Sequence, residues 1–179
     1  MNVQVIRTEH LSLIPLQPAD AEILHRIYRA DGVLRYFPDA TPPPLERIQR
    51  FITGQQAHWE KFGYGNWGIL LDGEKEIIGW AGLQFLPELN ETEVGFLLDK
   101  PFWGNGYATE AAHASLQFGF NCFDFPNLIT LVHPDNFASQ RVVDKCGMVY
   151  VETIHLWGID LMRYYLKREY FQCVNKLLS

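Results

Sequence analysis

Glu93 begins an apolar segment, Glu93-Val94-Gly95-Phe96-Leu97-Leu98. That segment runs through Asp99-Lys100-Pro101-Phe102-Trp103 into Gly104-Asn105-Gly106, then straight into Tyr107-Ala108-Thr109-Glu110-Ala111-Ala112. Glycines in such a turn let main-chain N–H groups come close to a ligand. A helix opening behind them adds unpaired N–H groups and partial positive charge. The chemistry this spacing serves is anion binding, and the natural occupant is a phosphate or pyrophosphate. Gly-x-Gly alone is equally a plain tight turn, so its neighbours decide between the readings. A dinucleotide fold asks for a third glycine where Thr109 stands. It also asks for an acid at the end of the next strand, where the chain reads Val132-His133-Pro134. The nucleotide loop GxxxxGK[ST] is absent.

Other chemistries find less support. Cys122, Cys146 and Cys173 are widely spaced, with no CxxC and no disulfide framework, so they read as free thiols in a reducing cytoplasm. The six histidines show no HExxH or HxH spacing, and no metal is expected. A net charge of −6 argues against general nucleic-acid binding, which needs a basic footprint. No apolar run approaches the ~18 residues of a membrane span, and the N-terminal residues lack a signal pattern. The sequon Asn90-Glu91-Thr92 is read as chance. At 179 residues, 47% hydrophobic and 14% aromatic, the chain suits one globular domain over 1–179.

The elements that must position the turn follow from periodicity. Leu11, Leu13 and Pro15-Leu16 suggest a short strand. Pro18-Ala19-Asp20 opens a helix with Ala21, Leu24, Ile27 and Tyr28 on one face. The segment 31–44 reads as a loop ending in three prolines, after which Leu45, Ile48, Phe51, Ile52 and Trp59 recur at helical spacing. Strands over 66–71, 76–85 and 91–99 form an antiparallel meander, its first turn signalled by Asp72-Gly73. Ala108, Ala111, Ala112, Ser115, Leu116 and Gly119 then give a helix with a small-residue face suited to close packing on a sheet. A strand over 128–132 completes a strand–helix–strand unit, which implies a parallel crossover. A short helix through Ala138, Val142, Val143 and Cys146 ends at Gly147, and 148–157 with 159–168 makes a last antiparallel pair.

With the order β-α-α-β-β-β-α-β-α-β-β in place, the chain resembles the GNAT superfamily of acetyl-CoA-dependent N-acetyltransferases, especially its RimJ/RimL-like branch. The resemblance covers nearly the whole chain. It rests on Arg7–Leu16 with Asp20, Trp67-Gly68-Ile69, Ile77–Leu83, Glu93–Phe96 with Trp103–Ala111, Asn136–Met148, Gly158-Ile159-Asp160 and Tyr165–Tyr170. Three positions depart from the family pattern. Trp103 stands where a Gln or Arg is usual, which leaves pyrophosphate binding to backbone N–H groups. Val143 stands near the position of a frequent proton-donating Tyr, and Met148 replaces a more frequent Phe.

The resemblance implies an α+β, three-layer fold: a mixed, mostly antiparallel sheet with a central splayed parallel strand pair and helices on both faces. It implies acetyl-CoA as cosubstrate in the gap. Backbone groups of Phe96, Leu97 and Leu98 would pair with its pantetheine arm, aided by Asn136. Trp103, Gly104, Asn105, Gly106, Tyr107, Ala108 and Thr109 would surround the pyrophosphate. A primary amine, on a protein or peptide N-terminus or a small molecule, would attack the thioester directly. Glu93 is the expected base, a backbone N–H near Leu97 the oxyanion donor, and Ser139 the group at the sulfur, as a positioner first. Tyr107 reads as packing, and Cys146 is not a nucleophile. His133 and His155 stand open between structural and functional roles; Tyr36, Phe37, Trp59 and Trp157 stand open between lining an acceptor channel and packing the core. A cytoplasmic location and a homodimer fit the family habit. The alternatives are a non-catalytic acyl-CoA sensor on the same fold, or a scaffold that binds no coenzyme.

Overall fold

The computed structural model describes residues 3–171; Cys173 lies outside them. Eight strands form one sheet in the order β1-β2-β3-β4-β5-β6-β8-β7. They are β1 (Ile6–Arg7), β2 (Leu11–Pro15), β3 (Asn66–Leu71), β4 (Ile77–Leu86), β5 (Glu91–Leu98), β6 (Asn127–Val132), β7 (Val149–Leu156) and β8 (Ile159–Lys167). Neighbours are antiparallel except β5 and β6, which run parallel and register at a single position, Glu93 opposite Ile129. The mixed sheet and its central parallel pair are those expected; β1 is additional.

Helices cover both faces. α1 (Asp20–Arg29) and the first half of α2 (Leu45–Phe62) bury Leu24, Ile27, Ile48 and Ile52 against Ile77 and Leu97. α2 stops at Gly63, whose φ of 77° lets its N–H close on Trp59 O at 2.9 Å. On the opposite face lies α3 (Tyr107–Cys122), with Ala111, Ala112 and Leu116 packed on Leu83, Val94 and Leu98. At Gly119 a Cβ would come within 2.9 Å of both Leu83 and Leu128, so the small-residue stripe is what lets the helix lie this close to the sheet. α4 (Phe137–Lys145) buries Val143 at the end of that layer.

One irregularity matters for the site. Opposite Ile69 and Leu70, β4 supplies Gly79 and Ile77, so Ile78 is an extra residue and the strand bulges. At Gly79 a Cβ would stand 2.0 Å from Leu97 O and 2.9 Å from Leu98 Cα, both main-chain atoms of β5. The clash has no flexible side chain to absorb it. Gly79→Ala is therefore expected to cost about 2 kcal/mol of stability and to lower the midpoint of a thermal melt. A melt matching wild type would show that β5 shifts freely here.

Candidate active site

Beyond the Glu93–Ile129 register the two parallel strands part, and a cavity of about 930 Å³ opens at their C-terminal ends. Such a volume suits a large organic ligand. Its walls are the end of β5, the 3-10 turn Lys100–Phe102, the start of α3, α4, and the segment from Tyr28 to Pro42. Of the residues anticipated from sequence, Phe96, Leu97, Leu98, Trp103, Gly104, Gly106, Tyr107, Ala108, Thr109, Asn136 and Ser139 line it. Asn105 and Glu93 do not. The Asn105 amide turns back on its own loop and donates to Trp103 O at 3.2 Å.

The turn is built for main-chain donors. Gly104 and Gly106 hold φ of 82° and 88°, and nothing lies within 4 Å of where either Cβ would point. Backbone conformation, then, is what selects glycine here. Gly106 caps α3 without any side-chain hydrogen bond, and the first N–H returned to the helix is that of Glu110, to Gly106 O at 3.0 Å. The N–H groups of Tyr107, Ala108 and Thr109 are the orphan donors of the first turn, at the positive end of a 16-residue helix. In this acidic chain, Arg29, Arg35, Lys100, Arg141 and Lys145 line the cavity against only Asp31 and Asp135. That imbalance favours a polyanion. The sequence reading missed these cations; Arg141 and Lys145, four apart on α4, carried a helical-face signal of the kind that finds them.

The free edge of β5 can be assigned residue by residue. Leu97 turns its carbonyl toward β4, where it would meet a Cβ at Gly79, and Asp99 N donates to Ile78 O at 2.8 Å. Backbone direction alternates along a strand, so Phe96 and Leu98 face the opening. Leu97 is thus corrected: its side chain lines the cavity, but its N–H and C=O belong to the β4–β5 ladder. The open N–H groups nearest the expected oxyanion position are those of Phe96 and Leu98. The Leu98 carbonyl accepts from Trp103 Nε1 at 2.8 Å. Trp103 therefore locks the strand end, though its ring is 46% exposed.

α4 presents Asn136 and Ser139. Asn136 Oδ1 accepts from Ser139 N at 3.1 Å, which caps the helix and fixes both residues at the cavity wall. Val142 lines the cavity while Val143 is buried in the core, and neither carries a hydroxyl.

Glu93 stands where the sheet parts. Its Oε1 accepts from Leu131 N at 3.1 Å, a main-chain donor that a continued parallel ladder would have paired with β5. The side chain of Glu93 therefore substitutes for the missing rung. The residue keeps some surface, but its carboxyl is packed deeply enough that burial pushes its pKa up from 4.5 to about 7, against the lowering effect of the Leu131 hydrogen bond. Burial also pushes the Cys146 thiol up to about 12, the opposite of what a nucleophile needs.

The remaining candidates separate. Tyr36 and Phe37 line the cavity, and Tyr36 lies against the His133 ring at 5.3 Å. Trp59 belongs to the core, edge-on to Trp67 at 4.8 Å. Trp157 sits on the β7–β8 turn and donates to Glu88. His155 pairs with Asp160 at 2.8 Å on the surface. Among the described residues no helix is long and apolar enough to cross a membrane.

Comparison with known proteins agrees with this geometry. Residues 10–149 match the model of the acetyltransferase (GNAT) domain. The uncharacterized protein YkkB of Bacillus subtilis is 34% identical over 120 residues, covering 66% of this chain and 70% of that protein. The FsC-acetyl coenzyme A-N(2)-transacetylase of Aspergillus fumigatus is 32% identical over 157 residues, covering 83% and 66%. The crystal structure of an acetyltransferase from Agrobacterium tumefaciens superposes with a TM-score of 0.80 at 29% identity, covering 93% of this chain and 95% of that one.

Proposed function

The chain belongs to the GNAT acetyltransferase family and uses acetyl-CoA, and on that premise we propose that it transfers the acetyl group directly to a primary amine, of a protein or peptide N-terminus or of a small molecule. One observation carries the assignment of the site. The uncapped, glycine-turned start of α3 and the unpaired edge of β5 face the same cation-rich cavity. The N–H groups of residues 104–109 would hold the diphosphate, and the open backbone of Phe96 and the N–H of Leu98 would run beside the pantetheine arm. Asn136 adds a side-chain amide there.

Acetyl-CoA supplies a thioester whose C–S bond breaks as the amine nitrogen bonds to the acyl carbon. Glu93 serves as base, directly or through a water: an amine with a pKa of ~7.7 to 10 arrives largely protonated at neutral pH, and a carboxyl titrating near 7 is matched to take that proton. An N–H of Phe96 or Leu98 steadies the acyl oxygen. Ser139 hydrogen-bonds the departing sulfur, which needs only modest help because a thiol has a pKa of ~8.5. Ser139→Ala is accordingly expected to lower kcat less than about tenfold with KM for acetyl-CoA nearly unchanged. A loss beyond a hundredfold would make Ser139 the proton donor itself.

Incubation with isotopically labelled acetyl-CoA and a panel of N-terminal peptides, polyamines and amino sugars, read by mass spectrometry and by CoA release, tests the proposal. Labelled product from one class identifies the acceptor. Tight CoA binding with no transfer across the panel favours the acyl-CoA sensor instead, a reading supported by the hydroxyl-free Val142–Val143 pair. The free thiols Cys122 and Cys146 accord with action in the reducing cytoplasm.

A further inference from the structure

Behind Glu93, on the same side of β5, lies Glu91, and its carboxylate is gripped by a residue two strands away. Arg163 of β8 donates from Nε to Glu91 Oε2 at 3.1 Å and from Nη2 to Glu91 Oε1 at 2.7 Å, while its Nη1 reaches Glu152 Oε1 of β7 at 2.8 Å. The Arg163 and Glu91 side chains are only 20% and 22% exposed. The bond crosses β6, which lies between β5 and β8. Arg163 is also the cross-strand partner of Leu131, the residue whose N–H Glu93 accepts. One end of the bridge is therefore two residues from Glu93, and the other is paired to Glu93's hydrogen-bond donor.

We propose that Arg163 and Glu91 form a positioning clamp that holds β5 to β8 at the closed end of the cleft and so fixes Glu93 at the point where the strands part. The clamp rests on the role given to Glu93 above. A single parallel register is a weak hinge, and a bidentate guanidinium–carboxylate pair supplies the directional tie it lacks. A second tie points the same way: Trp157 of the β7–β8 turn donates to Glu88 of the β4–β5 turn at 3.2 Å, joining the same two parts of the sheet.

The clamp also brings charge near Glu93, whose own pKa is raised by burial against the lowering hydrogen bond from Leu131. The polar groups on the Glu93 face are Gln84 of β4, Glu91 of β5, Asn127 of β6, Arg163, Tyr165 and Lys167 of β8, and Glu152 of β7; the β6 residues nearest Glu93, Ile129 and Leu131, carry no charge. Glu91 and Arg163 largely cancel one another. Removing the arginine leaves Glu91 to repel the charged form of Glu93, and removing Glu91 leaves Arg163 to attract it. The two losses therefore shift Glu93 in opposite directions through charge, whereas lost positioning reads in kcat at an unchanged midpoint.

The test is a carboxyl-carbon NMR titration of the free full-length protein, with Glu93→Gln identifying the Glu93 signal, run beside steady-state rates on whichever amine the panel yields. Arg163→Met is expected to raise the Glu93 midpoint, and Glu91→Gln to lower it, each by about half a pH unit or more. Arg163→Lys keeps the charge but loses the fork, so it holds the midpoint near wild type while kcat falls about tenfold and KM for acetyl-CoA stays put. Midpoints that move together, or not at all, overturn the clamp. Should Arg163→Met fail to fold, Glu91→Gln and Arg163→Lys decide by the same criteria. A Glu93→Gln enzyme that keeps the wild-type pH–rate profile overturns instead the base role on which the clamp rests.

Discussion

Replacing Glu93 with Gln is expected to lower kcat/KM by about a hundred- to a thousandfold, within the usual range for losing a general base, and to make the folded protein more stable above neutral pH. The glutamine oxygen still accepts from Leu131 N, so the rung between β5 and β6 survives and the effect reports on proton transfer. In wild type, kcat/KM should break at the Glu93 midpoint near 7 and fall about tenfold for each unit below it; in the variant that break should vanish, leaving only the limb set by the amine's own pKa. The stability change follows from linkage. A carboxyl whose pKa rises on folding leaves the native state holding its proton between the ordinary value and about 7, so stability is full below 4.5 and is lost as pH climbs through 7. The shift is worth on the order of 3 kcal/mol, which Glu93→Gln recovers at pH 8 and not at pH 4. Denaturant melts of both proteins at those two pH values check it. Equal stabilities at pH 8 would show that Glu93 is solvated like a surface carboxylate.

Gain of stability together with loss of rate is the mark of a group kept where it costs folding energy because chemistry needs it there. Periodicity alone made much of the frame around it readable. The apolar run 66–71 is buried over its first four residues, 91–94 alternates, and the alanine stripe of α3 packs on the sheet, so their patterns carry the structure directly. β1 escaped notice because two residues hold no period. The bulge at Ile78 also escaped, since it depends on how β4 meets β3 and not on either strand alone. The part of the site held by local sequence, Gly104 to Thr109 and Asn136 to Ser139, was legible for the same reason. What joins distant segments was not. Arg163 and Glu91 are 72 residues apart, and nothing near either one announces the other. The parity that gives Leu97 to β4 and Phe96 to the cleft is likewise set by strand register, which residue type does not encode. The loop from Ala30 to Pro42 has no period at all, yet it forms the cavity wall opposite β5.

Gly106→Asp is expected to weaken CoA binding about a hundredfold, with Gly106→Ala separating the two causes. At φ of 88° any Cβ is disfavoured by roughly 1–2 kcal/mol. No neighbour fills the space where that Cβ would point, so alanine does not clash. It biases the turn toward other conformations and reduces the population able to bind, by about thirtyfold at most. Aspartate tolerates the left-handed conformation better than alanine, so its conformational penalty is the smaller. Its carboxylate, however, is borne at the N-cap position of α3, beside the first turn whose N–H groups of Tyr107, Ala108 and Thr109 are orphans. There it competes as an internal ligand for those donors and repels an arriving diphosphate. Isothermal titration with CoA ranks the three proteins. Affinity falling from glycine to alanine to aspartate means that charge at the helix start dominates. If alanine is the weaker binder, backbone conformation governs and the donors count for less. If neither variant differs from wild type, the diphosphate does not bind at this turn.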